Sequence, residues 1–252
     1  MFEKEAEIFV REGKVAVPFL SSDVVPLLIP GLLTFFALPE KAKMHLAVDT
    51  PDEDDPDKGP DNGYIRKSGG PKKDGGLYDR KQIFHYRPSL WSEYAKRDVD
   101  ITPYRAWLGE AHTLYLRCLQ LLKNFTRALD KECPGYNFQR LTRTERALSK
   151  HVLRALLYDP PSPGEILIGK SHTDRNGISI HVRESRPGLR LGKDQQNYVI
   201  TPDTALIFPA DQVERLTEGK IKALQHEIWE EEPHAPDRRW SLVFFGQTPP
   251  LS

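Results

Sequence analysis

Apolar positions change their period along this chain, and the change divides it in two. From about Pro103 to Lys131, residues Leu108, Ala111, Tyr115, Cys118, Leu122, Phe125 and Leu129 recur in steps of three and four. That spacing gives one apolar stripe on a long helix, a stripe that faces a core. From Leu153 onward the apolar runs are short: Leu153–Tyr158, Glu165–Ile168, Ser171–Asp174, Ile178–Arg183, Leu189–Leu191, Asn197–Ile200, Ala205–Phe208, Ala223–Trp229 and Trp240–Phe245. Glycines and prolines punctuate them, in the number and spacing of strands of a double-sheet jelly roll. The expected fold is α+β and mostly β: a double-stranded β-helix (jelly-roll) core with N-terminal and flanking α-helices. Residues 1–150 are expected to form a helical and loop region packed on a core of residues 151–252, one structural domain overall.

The N-terminal part reads less clearly. Glu7–Val10 and Val15–Pro18 look like two short strands either side of Gly13. Ser21-Ser22-Asp23 offers an N-cap, Pro26 is tolerated in a first turn, and Pro30-Gly31 predicts a break or kink before a second segment ending near His45. From Asp49 to Gly76 the composition shifts to Pro, Gly, Asp and Lys, which predicts a solvated loop, with a lid over a binding site as its functional reading and Tyr64 as the aromatic to follow. Thr142 to His151 predicts a further helix or turn.

Composition narrows the function. The chain has 252 residues with 36 Lys+Arg and 36 Asp+Glu, a formal charge of zero, so it carries no electrostatic footprint for nucleic acid or an anionic membrane. Two cysteines, Cys118 and Cys133, cannot make a disulfide framework. Met1 to Glu7 has mixed charge with no apolar stretch behind it, and the longest nearly apolar run, Val24 to Leu38, is too short to span a bilayer. A cytoplasmic protein acting on a small molecule is expected, and no G-x-G-x-x-G or P-loop pattern points to a nucleotide-binding α/β fold.

Candidate chemistry gathers in the C-terminal half. His172 and Asp174, in Ser171-His172-Thr173-Asp174, are two apart; in an extended strand both side chains leave on one face. An imidazole beside a carboxylate makes two legs of a facial metal triad, although a surface His next to a turn-capping Asp has the same spelling. His226 follows a Glu218-Gly219 turn in an apolar segment, where a third ligand and a buried structural His are the two readings. Arg239 and Ser241 share one face of a strand apolar on both sides, so the guanidinium needs an anionic partner, and with the hydroxyl it forms a fork for a carboxylate. Arg238 takes the opposite face, exposed or paired with Glu230, Glu231 or Glu232. Tyr158 reads as a barrel aromatic or a co-substrate contact, His181 as structural, and His112, off the helix stripe, as exposed.

Together H-x-D, a distant His behind Thr217-x-Gly219, Arg239-x-Ser241 and the aromatic strand beyond it resemble the isopenicillin N synthase-like family of Fe(II)/2-oxoglutarate-dependent oxygenases. Leu32 to Lys41, with Phe35-Phe36 and Leu38-Pro39, is similar to that family's FF-x-LP-x-x-K helix. Asp79 to Phe84 resembles its D-x-KE-x-F segment, and Tyr158 with Pro160-Pro161 its Y-Y-P-P. The resemblance implies Fe(II) held by His172, Asp174 and His226, 2-oxoglutarate and O2 as co-substrates, Arg239, Ser241 and Tyr158 around the 2-oxoglutarate, and ascorbate as an optional reductant. It implies hydroxylation, desaturation or cyclisation of a small organic molecule, with succinate and CO2 released. An oxidase of the same fold that needs no 2-oxoglutarate, and a non-catalytic jelly-roll binding protein, are the alternatives. Peptide, amino acid, alkaloid and terpenoid substrates all remain open.

Overall fold

A computed structural model describes residues 2–48, 62–68, 79–143, 145–161, 166–193, 196–232 and 235–247. Helix α1 (Glu3–Glu12) opens the chain, followed by β1 (Val15–Pro18), α2 (Val25–Phe36), α3 (Glu40–Lys43) and β2 (Ala47–Val48). Strands β3 (Asn62–Ser68) and β4 (Arg80–Tyr86) form a hairpin-like pair before α4 (Leu90–Lys96) and the long α5 (Arg105–Glu132). Short helices α6 (Arg140–Arg143) and α7 (Glu145–Lys150) lead into β5 (Val152–Tyr158), β6 (Leu167–His172), β7 (Ile178–Glu184), β8 (Leu189–Leu191), β9 (Gln196–Tyr198) and β10 (Thr204–Pro209). Helix α8 (Asp211–Leu216), β11 (His226–Trp229) and β12 (Trp240–Gly246) complete it.

The strands form two antiparallel sheets. The large one runs β1-β10-β7-β12-β5-β4-β3-β2, the small one β6-β11-β8-β9. From β5 on, the chain passes back and forth between them, as expected for a jelly roll. Strands β1 to β4, from the first 150 residues, widen the large sheet at both edges.

Alternation along each strand builds two apolar layers. Ile178, Ile180 and Val182 of β7, Leu242 and Phe244 of β12, and Leu153, Ala155 and Leu157 of β5 bury against α1, α2 and α5. The opposite residues, among them Leu156, Phe208, Val243 and Phe245, meet Ile168, Leu189, Leu191 and Ile228 of the small sheet. The predicted helix stripe is confirmed: Leu108, Ala111, Tyr115, Cys118, Leu122, Phe125 and Leu129 are all buried.

Several expectations need correction. Glu7–Val10 is helical, not a strand, because Ala6 and Phe9 bury a helical face and the segment is not alternating. Pro30-Gly31 does not break α2; Gly31 instead admits α5, since a Cβ there would lie 2.8 Å from Cβ of Trp107. Tyr64 belongs to β3 and the core, not to a lid: its hydroxyl donates to Glu40 at 3.0 Å and to Gln82 at 3.1 Å, beside the buried Lys43. Most of the predicted 49–76 loop, residues 49–61 and 69–76, lies outside the described residues. His112 is half-buried, with Nδ1 2.8 Å from the Tyr86 hydroxyl. Among the described residues no helix is long and apolar enough to cross a membrane.

Candidate metal centre

Three side chains converge between the sheets. His172 closes β6, His226 opens β11, and the two are register partners across the small sheet. Asp174 lies two residues past the end of β6, just before the bend 175–177, and still points back toward the imidazoles. Nε2 of His172 is 3.7 Å and Nε2 of His226 is 3.9 Å from Oδ1 of Asp174. One ligand atom from each of the three lies within 4.8 Å of the others, the grouping a single ion requires.

Hydrogen bonds around the triad fix which atoms are free. Nδ1 of His172 is 2.7 Å from the Lys170 carbonyl, and Nδ1 of His226 is 3.2 Å from that of Leu224. A carbonyl only accepts, so both Nδ1 atoms carry a proton and both Nε2 atoms are turned to the centre, the orientation a ligand needs. Partial desolvation, then the adjacent His226, holds the pKa of His172 below the ordinary imidazole value, which favours the neutral form. Oδ2 of Asp174 accepts from the Ser179 hydroxyl at 2.6 Å, and Nδ2 of Asn176 donates to that hydroxyl at 3.2 Å. Oδ1 is thereby turned to the imidazoles. Phe208 packs against His226 with ring centres 5.1 Å apart. Ser179 and Asn176 escape sequence reasoning; the available signal is the alternation of Ser179 and His181 with Ile178, Ile180 and Val182, which gives β7 one polar, inward face.

Further along the large sheet lie the residues expected to bind a carboxylate. On the inner face, register places Phe245 beside Ser179, Val243 beside His181, and Ser241 beside Glu184. A bulge between Leu242 and Val243 in this pairing brings Glu184, not Arg183, opposite Ser241. The Ser241 row therefore lies roughly 13 Å along the strand from Phe245, at about 3.3 Å per residue. Arg239 is fully buried and already engaged: it donates to the Glu184 carboxylate, to the Arg186 carbonyl at 2.6 Å and to the Pro187 carbonyl. Glu184 is pushed up to about 7 by desolvation, with Arg239 opposing the rise. Nε2 of His181, Oε1 of Glu184 and Nε of Arg239 are buried with no hydrogen-bond partner among the described residues, so this floor has polar capacity for a ligand. Tyr158 is buried on the same inner face, its ring 5.6 Å from Nζ of Lys81.

Among the neighbouring arginines, Arg238 differs from expectation. Arg238 pairs with Asp159 and donates to the Tyr158 carbonyl at 2.9 Å, while Glu230 is taken by Arg186 at 2.6 Å. Arg190 stacks over Trp229 at 3.9 Å and reaches Glu231 at 3.5 Å.

Residues 149–248 match the family model of the 2OG-Fe(II) oxygenase superfamily. The chain is 34% identical over 77 residues to flavonol synthase/flavanone 3-hydroxylase of Eustoma exaltatum subsp. russellianum, covering 29% of this chain and 23% of that one. It is 35% identical over 78 residues to flavonol synthase 3 of Arabidopsis thaliana, covering 29% of this chain and 25% of the relative. The matched stretch is thus about a quarter of the length of these relatives. Among solved structures, a 2OG-Fe(II) oxygenase family protein from Caulobacter crescentus superposes with TM-score 0.73 at 22% identity, over 98% of this chain and 82% of that one. The dioxygenase for auxin oxidation 1 of Arabidopsis thaliana, in its complex with 2-oxoglutarate, superposes with TM-score 0.67 at 15% identity, over 98% of this chain and 87% of that one. The matched C-terminal stretch contains the His-Asp-His cluster and every strand from β5 to β12, so over residues 149–248 this chain is similar to the 2OG-Fe(II) oxygenase superfamily.

Proposed function

We propose that this protein is a 2-oxoglutarate-dependent dioxygenase that hydroxylates, desaturates or cyclises a small organic molecule while 2-oxoglutarate is converted to succinate and CO2. The observation that carries the reading is the triad itself: two imidazoles and one carboxylate, each fixed by a second hydrogen bond, with their remaining atoms turned to one point. Two His and one carboxylate suit Fe(II) and leave positions open for other ligands. Fe(II) bound there would supply the activation of O2 and the redox chemistry.

The chain's own residues do the rest. His172, Asp174 and His226 hold the ion, and Ser179 with Asn176 keeps Asp174 oriented. Because Asp174 fills the third protein position, oxidation is favoured over halogenation, for which a small residue there leaves room for chloride. Arg239 and Ser241 would receive the distal carboxylate of 2-oxoglutarate, with Tyr158 lining the same face. For that, Glu184 must yield the guanidinium. Leu206, Phe208, Val243 and Phe245 wall the inner face with apolar groups that limit water.

The relatives named flavonol synthases, and the auxin dioxygenase with its bound 2-oxoglutarate, support an oxygenase reading without handing on a substrate. A cytoplasmic setting is supported by two free cysteines, Cys118 buried and Cys133 half-buried. A second reading, an Fe(II)/O2 oxidase without 2-oxoglutarate, is favoured by one specific contact: Glu184 already neutralises Arg239.

An anaerobic visible spectrum of the protein, titrated with Fe(II) and then 2-oxoglutarate, separates these. A weak charge-transfer band that needs both is the expected result, absent in Asp174→Ala. Iron binding without the band would support the second reading, and no iron binding would refute both.

A further inference from the structure

Arg154 is the one inner-face arginine of β5, alternating with Val152, Leu156 and Tyr158, all of the layer between the sheets. Its guanidinium carbon lies 4.4 Å from the centre of the Phe245 ring, and Phe245 is the register partner of Ser179, which holds Asp174. The charge therefore leans toward the metal end of the face. Nε donates to Nε2 of His85 at 2.7 Å, which requires that nitrogen to be unprotonated. Neither Nη nitrogen has an acceptor, and no carboxylate lies within 4.0 Å, among the described residues. This contrasts with Arg66, Arg117, Arg186, Arg190, Arg238 and Arg239, each of which has a carboxylate. Arg154 is only half-buried, so the fork is reachable.

We propose that Arg154 is a carboxylate-binding residue of the inner face, receiving through its two Nη nitrogens a carboxylate of a ligand bound beside the metal centre. A desolvated guanidinium without a counter-ion costs the folded chain free energy, and burial lowers its pKa to about 10 while the charge of Asp174 partly restores it. It stays cationic at neutral pH. A divalent ion on the triad would consume the charge of Asp174, and Arg154 would then face a cationic centre that only an incoming anion balances. A planar carboxylate satisfies both Nη nitrogens at once, which Lys or Gln at this position could not do. Two ligands share that chemistry: 2-oxoglutarate itself and an acidic primary substrate. This inference rests on the oxygenase reading for its ligands, but not for its test.

The experiment compares wild type, Arg154→Gln and Arg154→Lys by ligand-induced thermal shift and calorimetry. The probes are 2-oxoglutarate with Mn(II), and phenylacetate and benzoate beside their uncharged amides with and without Mn(II). Without ligand, Arg154→Gln is expected to melt no lower than wild type, because it removes a partly desolvated charge that has no counter-ion. With ligand, either 2-oxoglutarate binding weakens at least tenfold in Arg154→Gln, assigning the site to the co-substrate, or 2-oxoglutarate is unaffected and an acid-over-amide preference of tenfold or more disappears, assigning it to the substrate. Arg154→Lys should keep part of either effect. Unchanged 2-oxoglutarate affinity together with no acid preference in wild type would overturn the proposal, as would a large loss of stability in ligand-free Arg154→Gln, which would make the arginine structural. A protein that binds no Mn(II) would refute the oxygenase reading, yet the metal-free acid and amide comparison would still decide the role of Arg154.

Discussion

Arg239 shows how a single side chain can be placed correctly by sequence and still be in a different state from the one expected. Its strand position, its burial and its company with Ser241 are as predicted, but its anionic partner is Glu184 of the same chain. Removing one member of a buried pair leaves the other uncompensated, typically at a cost of about 3–5 kcal/mol. Glu184 can relieve part of this by taking a proton, since desolvation already holds it at about 7. Arg239→Ala is therefore expected to destabilise the apo protein by roughly 2–4 kcal/mol, read by denaturant unfolding at about pH 7.5. Adding Glu184→Gln should recover part of that loss. If Arg239→Ala left stability untouched while abolishing 2-oxoglutarate binding, the ion pair would be incidental and Arg239 would be a free clamp.

Elements show where sequence reading succeeds and where it fails. The α5 stripe is legible because it follows one clean period, and most strands from β5 onward because short apolar runs mark them. The runs Glu165–Ile168 and Ser171–Asp174 nevertheless prove to be one strand, β6 (Leu167–His172), with Asp174 just beyond it. The triad is legible because its ligands sit at or beside the ends of two such strands. Strands β3 and β4 are not, because Arg66, Lys67, Arg80 and Lys81 make their outer ends polar and their pairing is with β5, a long-range fact. Helix α1 hides its period because only Ala6 and Phe9 in it are fully buried. Ion pairing is least legible of all: whether Arg238 meets Asp159 or Glu230 depends on loops, not on strand phase. The turn from β7 to β8 makes this concrete. Gly188 there has φ of +144°, and a Cβ would stand 2.1 Å from the Trp229 carbonyl and 2.8 Å from Nη1 of Arg239. Strain of this kind alone costs on the order of 1–3 kcal/mol, and the overlap with backbone adds to it. Gly188→Ala should lower the melting temperature by several degrees and loosen Arg239; a melt within a degree of wild type would show that the turn adapts freely.

At the scale of the whole molecule, the widened sheet leaves imidazoles in places that water does not reach. His151, fully buried where α7 meets β5, accepts from the Gln247 backbone N–H at 3.0 Å through Nδ1 and packs on Phe244 with ring centres 5.8 Å apart. Desolvation is the main reason its pKa falls to about 4. His181, on the inner face, falls to about 3 for the same reason, with Arg239 lowering it further. Both depressions act in one direction. Above the ordinary imidazole value of about 6.5, folded and unfolded chains hold the same neutral form and nothing is lost. Between there and about pH 4, the unfolded chain takes up protons that the folded chain refuses, so stability falls as pH falls. Glu184 works the other way over much of the same window: its raised pKa means the folded chain gains a proton as pH drops through about 7, which stabilises it. Each tenfold difference in proton affinity between folded and unfolded chains is worth about 1.4 kcal/mol. The two imidazoles outweigh one carboxylate, so the net expectation is a decline of roughly a few kcal/mol in unfolding free energy from about pH 7 to about pH 4.5. Denaturant unfolding of the metal-free protein across that range measures it. In His151→Gln, which keeps an acceptor for the Gln247 N–H but cannot be protonated, the decline should be visibly shallower. An equally steep decline in that variant would place the acid sensitivity elsewhere, in the inner face around His181.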